Sequence, residues 1–190
     1  MGTIYFKASN DCCLLANKVI KDFHPLLIKS QVKVGILMVV AGKEGQAAIK
    51  EAGNPVFGSV KIVPVKDRIT KNYDAEILID GDFWKEHPDK QIPLLDHLLS
   101  KIDVKVRQAK KKPRTDDDDE NEQPETAQEE VVVDDIGRPV LKIRKSDWSI
   151  TGFAEVAVRH GNLSIEMSRI TQALEHYEHA SKEKTNEEVS

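Results

Sequence analysis

His97 lies in the stretch Leu94-Leu95-Asp96-His97-Leu98-Leu99-Ser100-Lys101-Ile102, which is apolar and helical in period. A zinc helix would carry H-E-x-x-H at this point. That motif sets two imidazoles one turn apart on one face, with a glutamate to activate the metal-bound water. Here the glutamate position is Leu98 and the second histidine position is Lys101. One imidazole cannot hold zinc, so a lone His on an apolar helix is ordinarily a core or boundary residue. His176 and His179 are spaced i,i+3 near the C-terminus, but no third ligand stands beside them. The neighbouring Cys12 and Cys13 cannot build a disulfide framework, and nothing in their surroundings marks a reactive thiol.

The composition narrows the setting. The chain has 190 residues, enough for one domain with a real core, or for one domain and a tail. Charged residues are 32% and the net charge is -4, which argues against a general nucleic-acid binder. The absence of a disulfide framework fits a reducing cytosol. No leader is read at Met1-Gly2-Thr3-Ile4-Tyr5-Phe6-Lys7, and no apolar run is long enough to span a bilayer. The expected location is therefore cytoplasmic.

The pattern then predicts the elements that must position His97. Ser9-Asn10-Asp11 offers an N-cap for a helix over about Asp11–Asp22, ended near His24-Pro25. Val32–Val40 reads as a buried strand, Gln46–Ala52 as a short helix, and Phe57–Val65 as a strand whose Gly58 and Pro64 hint at an edge or a bulge. Ala75–Asp80 is a short strand and Asp80-Gly81-Asp82 a turn. Phe83–His87 starts a short helix stopped by Pro88, and Gln91–Asp103 is the central helix. Residues 110–130 are almost wholly charged or polar and read as a disordered insertion. Val131-Val132-Val133 begins a strand, Gly137-Arg138-Pro139 turns, and Val140–Arg144 returns as a hairpin strand. Ser146 or Ser149 caps a helix over Ile150–His160, which Gly161 ends, and a last helix runs over Ile165–Ser181.

In this order the pieces Phe23-His24-Pro25, Gly58, Tyr73-Asp74, Asp80, Phe83-Trp84 and Leu94-Leu95-Asp96-His97 recur in a known pattern. Gly137-Arg138-Pro139, Ile143-Arg144-Lys145 with Asp147, and Val156 with Arg159-His160-Gly161 complete it. From about Leu14 to Gly161 the chain resembles the phage metallopeptidases, a zincin-like family related in layout to the SprT-type proteases. The resemblance implies an α+β fold: a small mixed β-sheet packed on a central helix, with a C-terminal hairpin and helices. It places residues 1–109 in a metallopeptidase-like core, 110–130 in the insertion, 131–161 in the part that completes the same domain, and 162–190 in a terminal helix and tail.

Members of that family read D-H-E-L-x-H on the central helix, with a downstream R-K-H-D that supplies a third ligand. This chain reads Asp96-His97-Leu98-Leu99-Ser100-Lys101 and Arg144-Lys145-Ser146-Asp147. The base position is thus Leu98, the second ligand position Lys101 and the third Ser146. Lys101 puts a cation where the metal would be, and is expected to pair with Asp96, Asp103 or Asp147. The resemblance therefore implies a pseudoenzyme with no cofactor, encoded by a phage or prophage. Its expected role is to bind a host protein, as in counter-defence or inhibition of a nuclease or DNA-processing enzyme. Candidate contacts are Asp116, Asp117, Asp118, Asp119 and Glu120 of the insertion, and Arg169 and Tyr177 of the last helix, which could also form a homodimer. The enzymatic alternative is a residual zinc hydrolase using His97 with His160, His87, or His176 and His179. A third reading is a nucleic-acid module using Lys105–Arg114, disfavoured by the adjacent acidic run.

Overall fold

The described structure begins one strand earlier than the sequence pattern predicts. The computed structural model describes residues 2–43, 45–108, 129–145, 153–164 and 167. In chain order they form β1 (Ile4–Lys7), α1 (Asn10–Phe23), α2 (Pro25–Lys29), β2 (Val34–Val40), β3 (Ile49–Glu51), β4 (Asn54–Val56), β5 (Gly58–Ile62), α3 (Val65–Lys71), β6 (Ala75–Asp80) and α4 (Gly81–Glu86). A 3₁₀ turn, Pro88–Lys90, leads into α5 (Gln91–Ser100). Then come β7 (Ile102–Val104), β8 (Val106–Gln108), β9 (Glu129–Val131), β10 (Leu141–Ile143) and α6 (Ala154–His160).

The main sheet is mixed, with order β1-β2-β6-β5. β2 runs parallel to β6 and antiparallel to β1, and β5 runs antiparallel to β6. The mixed sheet and its helices make the fold α+β. In β6 alternate residues are buried: Ala75, Ile77 and Ile79 have no exposed surface. Strand alternation sends these three to one face. There they join Cys12, Ala16 and Val19 of α1 and Leu94, Leu95, Leu98 and Leu99 of α5 in one core. Each of the four leucines is at most 1% exposed, and burial of each contributes about 1.5–3 kcal/mol.

Local chemistry sets the element ends. Ser9 has extended backbone, and its hydroxyl accepts the Cys12 N–H at 3.2 Å, which opens α1. The Asp80 carboxylate accepts the N–H groups of Asp82 (3.0 Å) and Phe83 (3.2 Å), so the expected turn is the N-cap of α4. α2 ends with Gln31 at φ 53°, Gln31 N–H donating to Ile28 and Val32 N–H to Leu27, the Schellman pattern.

Several expected elements are corrected. Gln46–Ala52 is not a helix: β3 and β4 pair there as a hairpin, with Ala52 (φ 48°) and Gly53 (φ 86°) as its two-residue turn. Positive φ at both positions is the twist that a tight hairpin needs. The strand expected over Phe57–Val65 stops at Ile62, because Pro64 caps α3 and Val65 opens it. β5 is an edge of the sheet, where Gly58 and Pro64 pointed. The central helix ends at Ser100, not Asp103; Ile102 belongs to β7 and pairs with Ile143. The returning strand β10 pairs with β7, while Val133 and Pro139 bridge across the Gly137 turn. α6 starts at Ala154, not Ile150, with Phe153 as its N-cap and no side-chain cap bond; Ser146 and Ser149 lie outside the described residues. Of the insertion expected over 110–130, Glu129 and Glu130 instead open β9, and the remainder lies outside the described residues; of the expected last helix only Met167 is described, its N–H donating to the Ser164 hydroxyl at 3.0 Å.

A buried charge network fastens the return. Asp74 has no exposed surface and accepts the Lys33 N–H at 2.8 Å. Arg138 faces it with Nε 2.9 Å from Oδ1 and Nη2 3.0 Å from Oδ2. Arg68, also buried, donates Nε to the Val63 carbonyl at 2.8 Å and Nη1 to Asp134 and the Pro139 carbonyl, both at 3.0 Å. Tyr73-Asp74 and Gly137-Arg138-Pro139 thus meet in one charge-paired network, in which Asp74 Oδ1 is held by ion pairing with Arg138 and Arg68 and not by a hydrogen bond.

Gly58 is dictated by contact. A Cβ there would lie 2.7 Å from Leu98 Cδ1 and 2.9 Å from the Leu78 carbonyl oxygen. The backbone oxygen cannot yield cheaply, so Gly58→Ala is expected to lower stability by about 1–3 kcal/mol. Urea unfolding measures this; an unchanged midpoint would show that β5 and α5 are less tightly apposed.

Candidate functional site

α5 carries the positions at issue, and its two neighbouring residues, Asp96 and His97, have different fates. Asp96 has no exposed surface. His24, at the junction of α1 and α2, meets Asp96 Oδ1 with Nε2 at 2.9 Å, and His160, at the end of α6, meets Oδ2 with Nε2 at 2.8 Å. Arg159 Nη1 also donates to Oδ1. An ionised carboxylate only accepts, so both Nε2 atoms carry the proton. Burial by itself raises the Asp96 pKa. The hydrogen bonds from His24 and His160, together with the charge and hydrogen bond of Arg159, outweigh it and hold the carboxyl below its ordinary range.

The clamp is braced from behind. Arg159 also binds Glu155 at 3.1 Å, and its guanidinium lies 4.9 Å from the centre of the Phe23 ring. The same ring meets His160 edge-on at 5.7 Å. Three separate parts of the chain are therefore held together at one carboxylate. A carboxylate this committed is not free to take a proton from a substrate. The guanidinium on Oδ1 also opposes a divalent cation there.

His97 has its ring 5.4 Å from that of Phe153, inclined at 61°, and the Arg144 guanidinium lies 5.3 Å from the same Phe153 ring. Leu98 is fully buried against Gly58. Lys101 pairs with Glu51 of the β3–β4 hairpin at 3.4 Å. This corrects the expected partners of Lys101: Asp96 is taken by His24, Arg159 and His160, and Asp103 pairs with Lys142 at 3.1 Å. Asp147 lies outside the described residues.

The metal implied by the resemblance can be tested against these side chains. Catalytic zinc needs three protein donors and an open position. The positions offer an imidazole at His97, a buried alkyl chain at Leu98 and an ammonium at Lys101. This donor set does not fit zinc. Among the described residues no group of three or more His, Cys, Asp or Glu is placed to hold a metal ion. His160, the expected partner of His97 in a rearranged site, turns its Nε2 to Asp96, and His87 packs on Phe83 with ring centres 4.6 Å apart. Ser146, Asp116, Asp117, Asp118, Asp119, Glu120, Arg169, Tyr177, His176 and His179 lie outside the described residues. Cys12 is buried, and burial, then the neighbouring Cys13, pushes its thiol up to about 11, which makes it unreactive.

Sequence reasoning named Phe23-His24-Pro25, Asp96 and Arg159-His160-Gly161 separately and missed that they form one cluster. A usable signal was that His24 and the Arg159-His160 pair stand at helix ends, where side chains can reach across to a neighbouring element.

A mixed sheet, a core helix bearing Asp96-His97 and a hairpin return define the class of α+β protein that the fold and site describe. The family model described as "Putative phage metallopeptidase" matches residues 4–175, and the chain belongs to that family. No curated protein and no solved structure matches it. Among the described residues no helix is long and apolar enough to cross a membrane.

Proposed function

We propose that this family member is a pseudoenzyme that works by binding a protein of the phage's host, as an inhibitor or modulator of a defence or DNA-processing enzyme. One observation carries the reading: Leu98 is sealed in the core and Lys101 is tied to Glu51, at the positions where the family's base and second ligand belong. A fold kept without its donor set needs another use, and a surface is the usual one. The framework supports this, because the buried clamps at Asp96 and Asp74 keep α5, α6 and the returning hairpin in place without a metal. The acidic run Asp116–Glu120 and the chain beyond residue 164 are the segments proposed to meet the partner.

The test has two arms. The purified full chain, supplied with zinc, is incubated with unfolded casein, and host lysate is passed over immobilised chain with and without residues 115–128, a deletion that leaves β9 intact. No cleavage, together with stoichiometric capture of one host protein that weakens without the insertion, is the expected result. Chelator-sensitive cleavage abolished by His97→Ala would establish the hydrolase instead.

A further inference from the structure

β1 ends the main sheet: β2 lies on one side of it, and no strand lies on the other among the described residues. The ladder fixes which backbone groups are free at that edge. Ala8 N–H donates to the Ile36 carbonyl, and the register runs on through Phe6 opposite Met38 and Ile4 opposite Val40. Bonded pairs alternate along an antiparallel ladder, so Ile4, Phe6 and Ala8 turn their N–H and C=O groups to β2. Thr3, Tyr5 and Lys7 turn theirs outward.

The side chains do not guard this edge. Ile4 is 58% exposed, Tyr5 58% and Phe6 42%. Ile4 and Phe6 stand on the core side of the sheet, because they oppose Val40 and Met38, and Met38 is in the core. The packed layer therefore stops short of β1. Edge strands are ordinarily protected by a proline, a bulge or a charge within the strand. β1 pairs regularly, has no proline, and carries its one charge, Lys7, at its end.

We infer that β1 pairs with the β1 of a second copy of this chain, antiparallel about a two-fold axis through the Tyr5 pair, so that two four-stranded sheets continue as one. A free ladder of N–H and C=O groups is matched by a strand, and at this register the sequence complements itself. Tyr5 faces the second copy's Tyr5 and Lys7 faces its Thr3, and these outward-turned pairs exchange their N–H bonds. On the core side Phe6 covers the second copy's Ile4, and the reverse, so the open apolar row closes on itself. Other registers do worse. Phe6 opposite Phe6 sets Thr3 against Ser9, where the chain turns into α1. Lys7 opposite Lys7 opposes two ammonium groups and gives up the Phe6–Ile4 contacts. The chain's own remaining segments do not fit this edge: neither Asp116–Glu120 nor the residues after Met167 carry apolar side chains at alternate positions. Pairing through one short edge buries less than a standard interface, so the dimer is weak, with a Kd of about 10–100 µM. The inference is independent of whether the chain cleaves peptides or binds a host protein.

The experiment is sedimentation equilibrium of the full chain from about 5 to 500 µM, with amide hydrogen exchange followed by NMR at both ends of that range. The mass should rise from one chain toward two. Exchange at Thr3, Tyr5 and Lys7 should slow by about threefold or more at the higher concentration, while Ile4 and Phe6, already bonded to β2, change little. Tyr5→Pro removes the central donor of the pairing and leaves the β2 ladder whole, so it should keep the fold and weaken the dimer by about tenfold or more. Leu174→Glu, in the last segment of the chain, should leave the dimer unchanged. Any of four results overturns the inference: a single-chain mass at about 500 µM, a dimer without slowed exchange at Tyr5 and Lys7, a dimer that survives Tyr5→Pro, or one lost in Leu174→Glu. The exchange measurement needs no variant, so it decides the matter even where Tyr5→Pro lowers stability.

Discussion

Asp96→Ala lowers the unfolding free energy by about 3–5 kcal/mol, the cost of removing one partner from a buried ionic cluster. The substitution leaves the Arg159 guanidinium and the N–H groups of His24 and His160 facing a void, with no acceptor to replace the two carboxylate oxygens. For a chain of this length the melting temperature should fall by about 6–20 °C. Asp96→Asn keeps the shape but not the charge, so it should cost less, about 1.5–3 kcal/mol. The pH dependence follows from the sign of the shift. The Asp96 pKa is lowered in the folded chain, so its contribution is complete above the ordinary carboxylate value of about 3.9 and is lost as pH falls through the depressed native value. The stability advantage of the natural chain over Asp96→Asn should therefore shrink below about pH 4. Denaturant titrations at stepped pH measure it, and an advantage that shows no decline from neutral pH to about pH 2 would mean that Asp96 acts through packing and not through charge.

Leu98→Glu restores the family's base by residue type, yet it should unfold the chain rather than revive it. Leu98 has no exposed surface, and its Cδ1 lies 2.7 Å from where a Cβ on Gly58 would be. A carboxyl placed there loses leucine burial and is desolvated without a partner. That costs about 3–5 kcal/mol, and the group takes up a proton instead of serving as a base at neutral pH. The combination with Lys101→His should add no peptidase activity, and should free the Glu51 hairpin by breaking its ion pair. Fluorescence-monitored unfolding and a casein assay give both answers. A stable, active double variant would mean that the metal site is intact but for two side chains.

These two residues also show what a sequence can and cannot convey. The leucines at 94, 95, 98 and 99 repeat at helical spacing and are buried as that spacing predicts, because a helix face is a local property. Ser9 before Asn10 announces a helix start for the same reason, whereas Asp80, read as a turn, is the N-cap of α4. β1 escaped because the four residues before the cap, Ile4–Lys7, give too short a pattern to register as a strand. α3 escaped because Val65 and Ile69 are strand-favouring residues and are exposed. The β3–β4 hairpin turns on Ala52-Gly53 rather than on the more telling Asn-Gly or Asp-Gly. The Asp96 cluster was hidden for a deeper reason. Its partners His24, Arg159 and His160 lie 63 to 72 residues from Asp96 in the chain, and neither periodicity nor caps report on such a contact.

The most direct test of the pseudoenzyme reading is the zinc content of the purified, untagged chain, measured by elemental analysis after exposure to zinc and exhaustive dialysis. With Leu98 in the core and Lys101 bound to Glu51, the account predicts zinc far below one atom per chain. One tightly held zinc per chain, lost on His97→Ala, would contradict it.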